Sequence, residues 1–382
     1  MELETDEYIS DRDDLSYKEL IEIGEVKNET GKVYVRKHTP EDIFKIKRMS
    51  VVGIDYVISG RGSYRAWKSN LQKMIRRGKV REALRSVYET ISMGGQFLSN
   101  IVNRLCKVMV SEECGPGEPW MAKICCEFLE YYEKNKRGNE LEKDISFQIN
   151  ILLLTKMFCL ARKTRISCLM KNYFNDIVDQ EIILWDWDKL FEKFISSVEE
   201  DDFNRGSQIL LRLIENGSKL ERGEKLGELE EYQKKLFGRK RKKIYIVWKY
   251  ILDMSEIFDK RLWEINLYLL KIYIMGESSL NLTNAYCNLM GYLQGRLDLK
   301  KPDLLEMKDN EIYTWEEVKK WKDIWIDSVS YDRHTKVGGE LGRDWYFFYR
   351  YGAKIFPKYK GFEDLDNFYY QKIVERVLET KN

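Results

Sequence analysis

Apolar residues from Trp67 onward recur at the spacing of a single helical face. The clearest run follows the i, i+3, i+4, i+7 pattern of an amphipathic helix and comprises Val80, Ala83, Leu84, Val87, Tyr88 and Ile91. Gly78 stands just before this run, where a preceding helix would end. The pattern therefore predicts an antiparallel helical hairpin over residues 65–77 and 79–92.

The same spacing predicts further helices along the chain. A third runs over residues 97–109, a fourth begins at Pro119, and a fifth covers residues 144–161. Residues 191–217 repeat the layout of the first hairpin, with a helix, a short polar turn, a helix and a glycine. We therefore predict an all-α fold, a multi-helix bundle of antiparallel helical hairpins.

Residues 1–60 lack this helical pattern. Residues 31–39 and 50–60 are rich in Val, Ile and Tyr and are bounded by glycines, which is typical of short strands. We therefore predict three segments: a small mixed N-terminal extension (1–60), a helical domain (61–360) and a C-terminal helix or tail (361–382). The polar connection 217–243 is a candidate boundary within the helical domain.

Charge and composition exclude several classes of protein. With 65 basic and 63 acidic side chains the net charge is only +2, so any polyanion site must be a local patch. The 7 cysteines form no C-x-x-C pair and the chain has 2 histidines, which argues against zinc and for buried thiols in a reducing compartment. The acidic start is no targeting peptide, and the apolar run 149–161 is too short to span a bilayer. We therefore expect an intracellular protein, cytoplasmic or nuclear, with no membrane partner.

No catalytic motif occurs in the sequence. Gly60-Arg61-Gly62-Ser63 lacks the lysine and the glycine spacing of a P-loop, and the serine-hydrolase, zinc-protease and calcium-loop motifs are missing. Runs of acidic residues are expected on solvated faces of so charged a chain. We expect no enzyme, no catalytic residue, no metal and no cofactor.

Three basic clusters are candidates for contacts to nucleic-acid phosphates. An alternative for the first is that its cations complement the dipole at a helix C-terminus. For the third, a solvated loop or a nuclear-import signal is equally open. The predicted phosphate contacts are Lys73, Arg76, Arg77, Lys79 and Arg81 in the first cluster, Arg162, Lys163 and Arg165 in the second, and Arg239, Lys240, Arg241, Lys242 and Lys243 in the third.

Two features near the C-terminus have both a structural and a functional interpretation. His334 has no evident catalytic or metal partner, and we interpret it as a structural group in a glycine-rich turn capped by Thr335. The aromatic run 345–351 is of a kind that stacks bases, but its helical spacing favours a core or a subunit interface.

Two long segments resemble a known family. Residues 67–84 and 94–122 are similar to the C-terminal half of the replication-associated recombination protein A family of AAA+ ATPases, which includes the MgsA-type proteins and the Werner-helicase-interacting protein. Residues 153–169 and 332–355 extend the resemblance, although Thr164 stands where serine is usual. The matching residues are Ser69, Leu71, Gln72, Lys73, Arg76, Arg77, Gly78, Ala83 and Leu84 in the first block, and Arg104, Leu105, Ser111, Glu112, Glu113, Gly115 and Pro119 in the second.

The resemblance implies a helical domain like the collar of clamp loaders, which in the family holds subunits together as tetramers. The ATPase half has no counterpart in this chain, so ATP hydrolysis is not implied. We expect a non-enzymatic accessory protein of DNA replication, recombination or repair, a self-associating homo-oligomer that contacts DNA without sequence specificity and works beside a separate replication ATPase or helicase. The alternative is a structural or assembly protein, such as a virion or scaffold component, that uses the helical domain only to oligomerise.

Overall fold

The computed structural model of the protein describes most of the chain from Tyr64 onward and short pieces before it. The backbone is described for residues 26–28, 31–33, 58–59 and 62–63. The remaining described residues are 64–93, 97–106, 110, 114–136, 141–174, 179–217, 244–276, 279–300, 312–335, 338–339 and 341–379.

Helices dominate the described residues and confirm the predicted all-α fold. Short 3₁₀ turns and π-helical turns join or extend some of them, among the latter Phe348–Gly352 and residues 104–106. In chain order the α-helices are α1 (Tyr64–Arg76), α2 (Val80–Ser92), α3 (Leu98–Asn103), α4 (Met121–Asn135), α5 (Ile145–Leu160), α6 (Ile166–Phe174), α7 (Gln180–Ile183), α8 (Trp187–Glu199), α9 (Phe203–Gly217), α10 (Ile244–Phe258), α11 (Lys260–Gly276), α12 (Ser279–Leu293), α13 (Trp315–Lys320), α14 (Trp345–Phe347) and α15 (Glu363–Glu379).

Two short antiparallel strand pairs precede the helices. β1 (Val26–Asn28) pairs with β2 (Gly31–Val33), with Val26 opposite Val33. β3 (Ile58–Ser59) pairs with β4 (Gly62–Ser63). β2 and β3 fall within the two predicted strand segments, while most of the extension lies outside the described residues.

The predicted first hairpin is present as α1 and α2. Gly78 lies between them with φ of +68°, a left-handed conformation that glycine adopts without steric cost. Its N–H donates to the carbonyl of Ile75 (3.1 Å), and the N–H of Lys79 donates to the carbonyl of Met74 (2.9 Å). These two bonds form a Schellman motif, which satisfies the last carbonyls of α1 and turns the chain into α2.

The second predicted hairpin is also present, as α8 and α9. The side chain of Asp186 caps α8 by accepting from the N–H of Lys189 (2.9 Å). α5 begins in the same way, with Asp144 accepting from the N–H of Phe147 (2.7 Å). Caps of this kind satisfy N–H groups that have no partner within the helix. α3 forms the start of the predicted helix 97–109: its α-helical residues end at Asn103, residues 104–106 continue as a π-helical turn, and residues 107–109 lie outside the described residues.

One hydrophobic core joins the helices of both halves of the chain. Buried members include Leu71 in α1, Trp248 in α10, Leu289 in α12 and Tyr369 in α15. α2 packs on α5, α4 on α11, and α6 on both α12 and α15. The polar connection 218–243 lies outside the described residues, but the helices on its two sides share this core. Burial of each large apolar side chain contributes about 1.5–3 kcal/mol.

Three further properties bear on function. Among the described helices, none combines the length and apolar character that crossing a membrane requires. All seven cysteines fall in the described part, where no disulfide joins them and six are buried. No group of three or more His, Cys, Asp or Glu side chains in that part is arranged to hold a metal ion.

Candidate anion-binding pocket

Helix α1 presents one polar face to a cavity of about 480 Å³. Its apolar face, with Trp67, Leu71 and Ile75, is fully buried in the core. The polar face follows the i, i+3, i+4, i+7, i+8, i+11 spacing of a single helical stripe and consists of Arg65, Lys68, Ser69, Gln72, Lys73 and Arg76.

Three other parts of the chain complete the walls of this cavity, which we call the basic pocket. α6 and the residue before it contribute Arg165, Cys168 and Asn172, again at helical spacing. Arg104 enters from the end of α3. The remaining wall is formed by His334, Thr335, Trp345 and Phe348.

The charge of the described lining has one sign. It contains six cations and no carboxylate: Arg65, Lys68, Lys73, Arg76, Arg104 and Arg165. Like charges gathered in a recess with low-dielectric walls focus a field that attracts anions. The basic pocket is therefore suited to an anionic group.

The deepest cations rest on an aromatic ring and a buried carboxylate. The ring of Phe348 lies 5.6 Å from Lys73 Nζ, 5.6 Å from Arg76 Cζ and 5.8 Å from Arg165 Cζ. Lys73 Nζ lies 2.6 Å from the carboxylate of Asp332, which has no exposed surface. The Asp332 pair and the cation–π contacts offset part of the cost of burying these charges.

The shallower cations repel one another. Burial, followed by the charges of Arg104 and Arg65, lowers the pKa of Lys68 to about 8. The Lys68 ammonium lies 5.3 Å from the ring of Tyr64, and no acidic side chain of the described residues pairs with it. A bound anion would relieve this repulsion, so the free energy of binding includes that relief.

His334 lies in the turn predicted for it, but its ring packs on aromatic rings where a hydrogen bond to backbone was expected. Its ring contacts the rings of Trp345 (centroids 5.2 Å apart) and Phe348 (5.1 Å) edge to face. The hydroxyl of Thr335 donates to the carbonyl of Asp332 (2.8 Å) and accepts from the N–H of Gly338 (3.0 Å), closing the turn. Burial and the nearby cations Lys73, Arg333 and Arg76 lower the pKa of His334, while Asp332 opposes them.

The structure separates the predicted phosphate contacts of the first cluster into two groups. Lys73 and Arg76 line the basic pocket. Arg77 and Lys79 instead lie 3.7 and 3.4 Å from one carboxylate, that of Asp327. Arg81 lies on α2 with its guanidinium 5.0 Å from the ring of Trp321. We call Arg77, Lys79 and Arg81 the turn cations.

The second cluster is divided as well. Of its members, Arg165 lines the basic pocket. The guanidinium of Arg162 lies 3.1 Å from each of Glu118 and Asp298. The completely buried ammonium of Lys163 donates to backbone carbonyls, among them Cys159 (2.7 Å), and so helps to close the end of α5. The third cluster, Arg239 to Lys243, lies outside the described residues.

The aromatic run 345–351 is partly core, in line with the interpretation favoured from its spacing. Phe348 and Tyr349 are each only 5% exposed. Trp345 is 39% exposed, but the Arg333 guanidinium lies 3.9 Å from its ring centre. The buried rings support the wall of the basic pocket and are not accessible to stack on bases.

The predicted phosphate contacts did not include Arg65, Lys68 and Arg104, although Lys68 belongs to the first basic cluster and Arg104 to the second block of the family resemblance. Arg65 and Lys68 share the helical stripe of Lys73 and Arg76, so a reading by helical period would have found them. Arg104 lies on a different helix and is brought to the pocket by tertiary packing. No spacing in the sequence links it to α1.

A second cavity, of about 660 Å³, lies on the other side of Arg165 and has mixed charge. Its lining combines two carboxyl groups, those of Glu363 and Asp366, with five cations: Arg77, Arg165, Lys354, Lys358 and Lys360. Burial raises the pKa of Asp366 to about 7, against hydrogen bonds from Thr164 and the Arg165 N–H. Opposite charges within one cavity partly cancel, so this cavity is less suited to a polyanion than the basic pocket.

Comparisons with known proteins identify no relative. No protein-family model matches the chain, and no curated protein or solved structure does.

Proposed function

We propose that the protein is a non-enzymatic nucleic-acid-binding accessory protein of DNA replication, recombination or repair, and that its basic pocket holds a backbone phosphate. The observation that carries the proposal is the gathering of six cations, with no carboxylate in the described lining, in one cavity of about 480 Å³. Phosphate contacts supply most of the sequence-independent affinity of proteins for DNA.

The family resemblance supports the same function by a separate route. Ser69, Gln72, Lys73 and Arg76, which carry part of it, all line the basic pocket. Arg104, from the second block of the resemblance, lines the pocket too. On the resemblance alone we extend the proposal to self-association and to a separate replication ATPase or helicase as partner.

The test is a titration of the full chain against fluorescent single-stranded, duplex and forked DNA. We expect micromolar or tighter binding at about 50 mM salt and a steep loss of affinity towards about 200 mM, because bound phosphates release counterions. Peptide nucleic acid of the same sequence, which has an uncharged backbone, is the matched control and should not bind. Failure to bind any of the three DNAs at low salt would overturn the proposal.

The assembly protein is the second candidate, and two pairs of adjacent exposed apolar side chains favour it. Ile183 and Leu184 are 43% and 84% exposed, and Ile257 and Phe258 are 73% and 41% exposed. Such surfaces are typical of interaction sites. Self-association that strengthens with salt, in a protein that binds no DNA, would support this candidate instead, because salt strengthens the burial of apolar surface.

A further inference from the structure

The basic pocket has a graded depth. Its floor consists of Lys73, Arg76, Arg165 and Phe348, whose exposed fractions are 3%, 2%, 4% and 5%. Beneath the floor lies Asp332, which is completely buried. A recess with a buried floor is closed at one end, whereas a groove that tracks a strand is open at both.

The mouth of the pocket is formed by cations that solvent reaches. Arg65 is exposed, while Lys68 and Arg104 are half-buried. Cations therefore line the path from the mouth to the floor. An anionic chain that enters by its end meets positive charge over the whole path.

The closed floor distinguishes between two kinds of phosphate. A phosphodiester inside a strand carries one negative charge and has a nucleoside on each side, so it needs an exit in two directions. A terminal phosphomonoester has a nucleoside on one side only and carries about −1.5 to −2 charge at neutral pH. The second kind fits a recess closed at one end and matches its excess of positive charge better.

The size of the cavity agrees with more than a bare phosphate ion. A volume of about 480 Å³ falls within the range of pockets that hold small organic ligands. The terminal nucleotide of a strand is a ligand of this size. The next phosphates along the strand would then lie at the mouth, near Arg65, Lys68 and Arg104.

The geometry points to a strand-end site: the basic pocket binds the terminal phosphomonoester of a nucleic-acid strand, with the phosphate on the floor and the strand leaving across the mouth. This inference rests on the proposed function and adds the part of the nucleic acid that the pocket recognises. The monoester is recognised by charge-assisted hydrogen bonds, which are about twice as strong as neutral ones.

The experiment compares four short single strands of one sequence: 5′-phosphorylated, 3′-phosphorylated, unphosphorylated and circular. We expect one phosphorylated strand to bind at least about tenfold more tightly than the unphosphorylated and circular strands, a difference of about 1.4 kcal/mol. Equal affinity for all four would overturn the strand-end site and leave the proposed function intact. No binding by any strand would overturn both.

Adenosine monophosphate serves as a competitor that separates a strand end from a free nucleotide. The strand-end site predicts that it displaces the phosphorylated strand only at concentrations at least about tenfold above the dissociation constant of that strand, because it lacks the neighbouring phosphates. Displacement at equal concentration would show that the pocket takes free mononucleotides, and would overturn the strand as ligand.

Two isosteric variants test whether the preference for a phosphorylated strand arises in the basic pocket. Asn172→Asp places a carboxylate in the wall of the basic pocket, whereas Asn367→Asp makes the same charge change in the second cavity. We expect Asn172→Asp to abolish the preference for the phosphorylated strand and Asn367→Asp to retain it. Retention of the preference in a folded Asn172→Asp protein would overturn the inference. If that variant does not fold, Cys168→Asp, which changes the same wall, replaces it.

Discussion

The polar stripe of α1 and the turn that follows it carry similar numbers of cations but place them in opposite surroundings. The turn cations Arg77 and Lys79 share the carboxylate of Asp327, and Lys79 keeps 44% of its side chain in solvent. On the stripe, burial, followed by the charges of Arg104 and Arg65, lowers the pKa of Lys68 to about 8. The number of cations in a segment therefore does not identify an anion site. What matters is whether the cations converge on one cavity: Lys73 of the stripe also has an acidic partner, Asp332, but it lines the basic pocket with the other stripe cations.

Burial strengthens this difference. Exposed charges are screened by water and salt, whereas charges in a recess with low-dielectric walls act on one another and on a ligand at greater strength. The turn cations contribute mainly to the local structure of the hairpin. The stripe cations supply the field of the basic pocket.

Substitutions in the polar stripe and in the turn are expected to differ most in how much they lower the free energy of unfolding. Lys73→Met leaves the carboxylate of Asp332, 2.6 Å away and completely buried, without its cation. We expect the free energy of unfolding to fall by about 3–5 kcal/mol, the cost of breaking a buried ion pair from one side. Urea denaturation followed by circular dichroism measures the loss.

The control for this prediction is the double variant Lys73→Met with Asp332→Asn, which removes both charges. It should recover more than half of the lost free energy, because no unpaired charge remains buried. A double variant as unstable as Lys73→Met alone would contradict the importance of the pair.

A smaller loss of stability is expected at the turn itself. Gly78→Ala forces a Cβ into a residue with φ of +68° and places it 3.2 Å from the carbonyl oxygen of Phe356 and 3.3 Å from that of Cys159. The left-handed conformation alone costs about 1–2 kcal/mol for a residue with a Cβ. Thermal denaturation should show the loss, while the affinity for DNA at a temperature where the variant is folded should stay unchanged. A large loss of DNA affinity would show that the turn is part of the binding surface.

The pH dependence of DNA binding is expected to follow the loss of the proton from Lys68. Its pKa of about 8 means that it is mostly charged at about pH 7 and mostly neutral at about pH 9, so affinity should fall several-fold over this interval. The neighbouring phenol of Tyr64 does not change charge there, because burial raises its pKa to about 12. A bound phosphate would raise the pKa of Lys68, so the affinity should fall from the pKa of the free protein up to that of the complex.

Lys68→Arg is the control for the pH experiment, because it keeps the charge at both values. Its DNA affinity should vary little over the same interval. An equal fall in Lys68→Arg and in the unaltered protein would assign the pH dependence to another group.

The smallest effect is expected for the turn cations. Replacing Lys79 and Arg81 together by Met removes an exposed ion pair and a contact with Trp321. We expect a loss of at most about 1 kcal/mol in the free energy of unfolding, since exposed pairs contribute about 0–1 kcal/mol. A fall in the free energy of unfolding as large as that of Lys73→Met would contradict the distinction between the turn cations and the polar stripe.

Much of the fold could be predicted because local signals agree with the final packing. Gly78 adopts the left-handed conformation expected where α1 ends, and the apolar spacing in residues 80–91 is the buried face of α2. The change from α-helix to a π-helical turn after Asn103 could not be predicted this way, since apolar periodicity continues to residue 109.

The candidate site could be predicted only in part. Lys73, Arg76 and Arg165 were identified as cations within basic clusters, and all three line the basic pocket. The pairing of Asp327 with Arg77 and Lys79 could not be predicted from the sequence. Asp327 lies 248 residues after Lys79 along the chain, and only the fold brings the two together. Arg104 joins the pocket through packing of α3. Its place in the second block of the family resemblance does not link it to α1.

The most direct test of the account compares the DNA affinity of two double variants that each remove two positive charges: Lys68→Gln with Arg104→Gln in the basic pocket, and Lys79→Gln with Arg81→Gln at the turn. The pocket pair should weaken binding by about tenfold or more and reduce the salt slope by about 1–2, one unit for each lost phosphate contact. The turn pair should bind within about twofold of the unaltered protein. Equal losses in the two variants, or a greater loss at the turn, would contradict the assignment of DNA binding to the basic pocket.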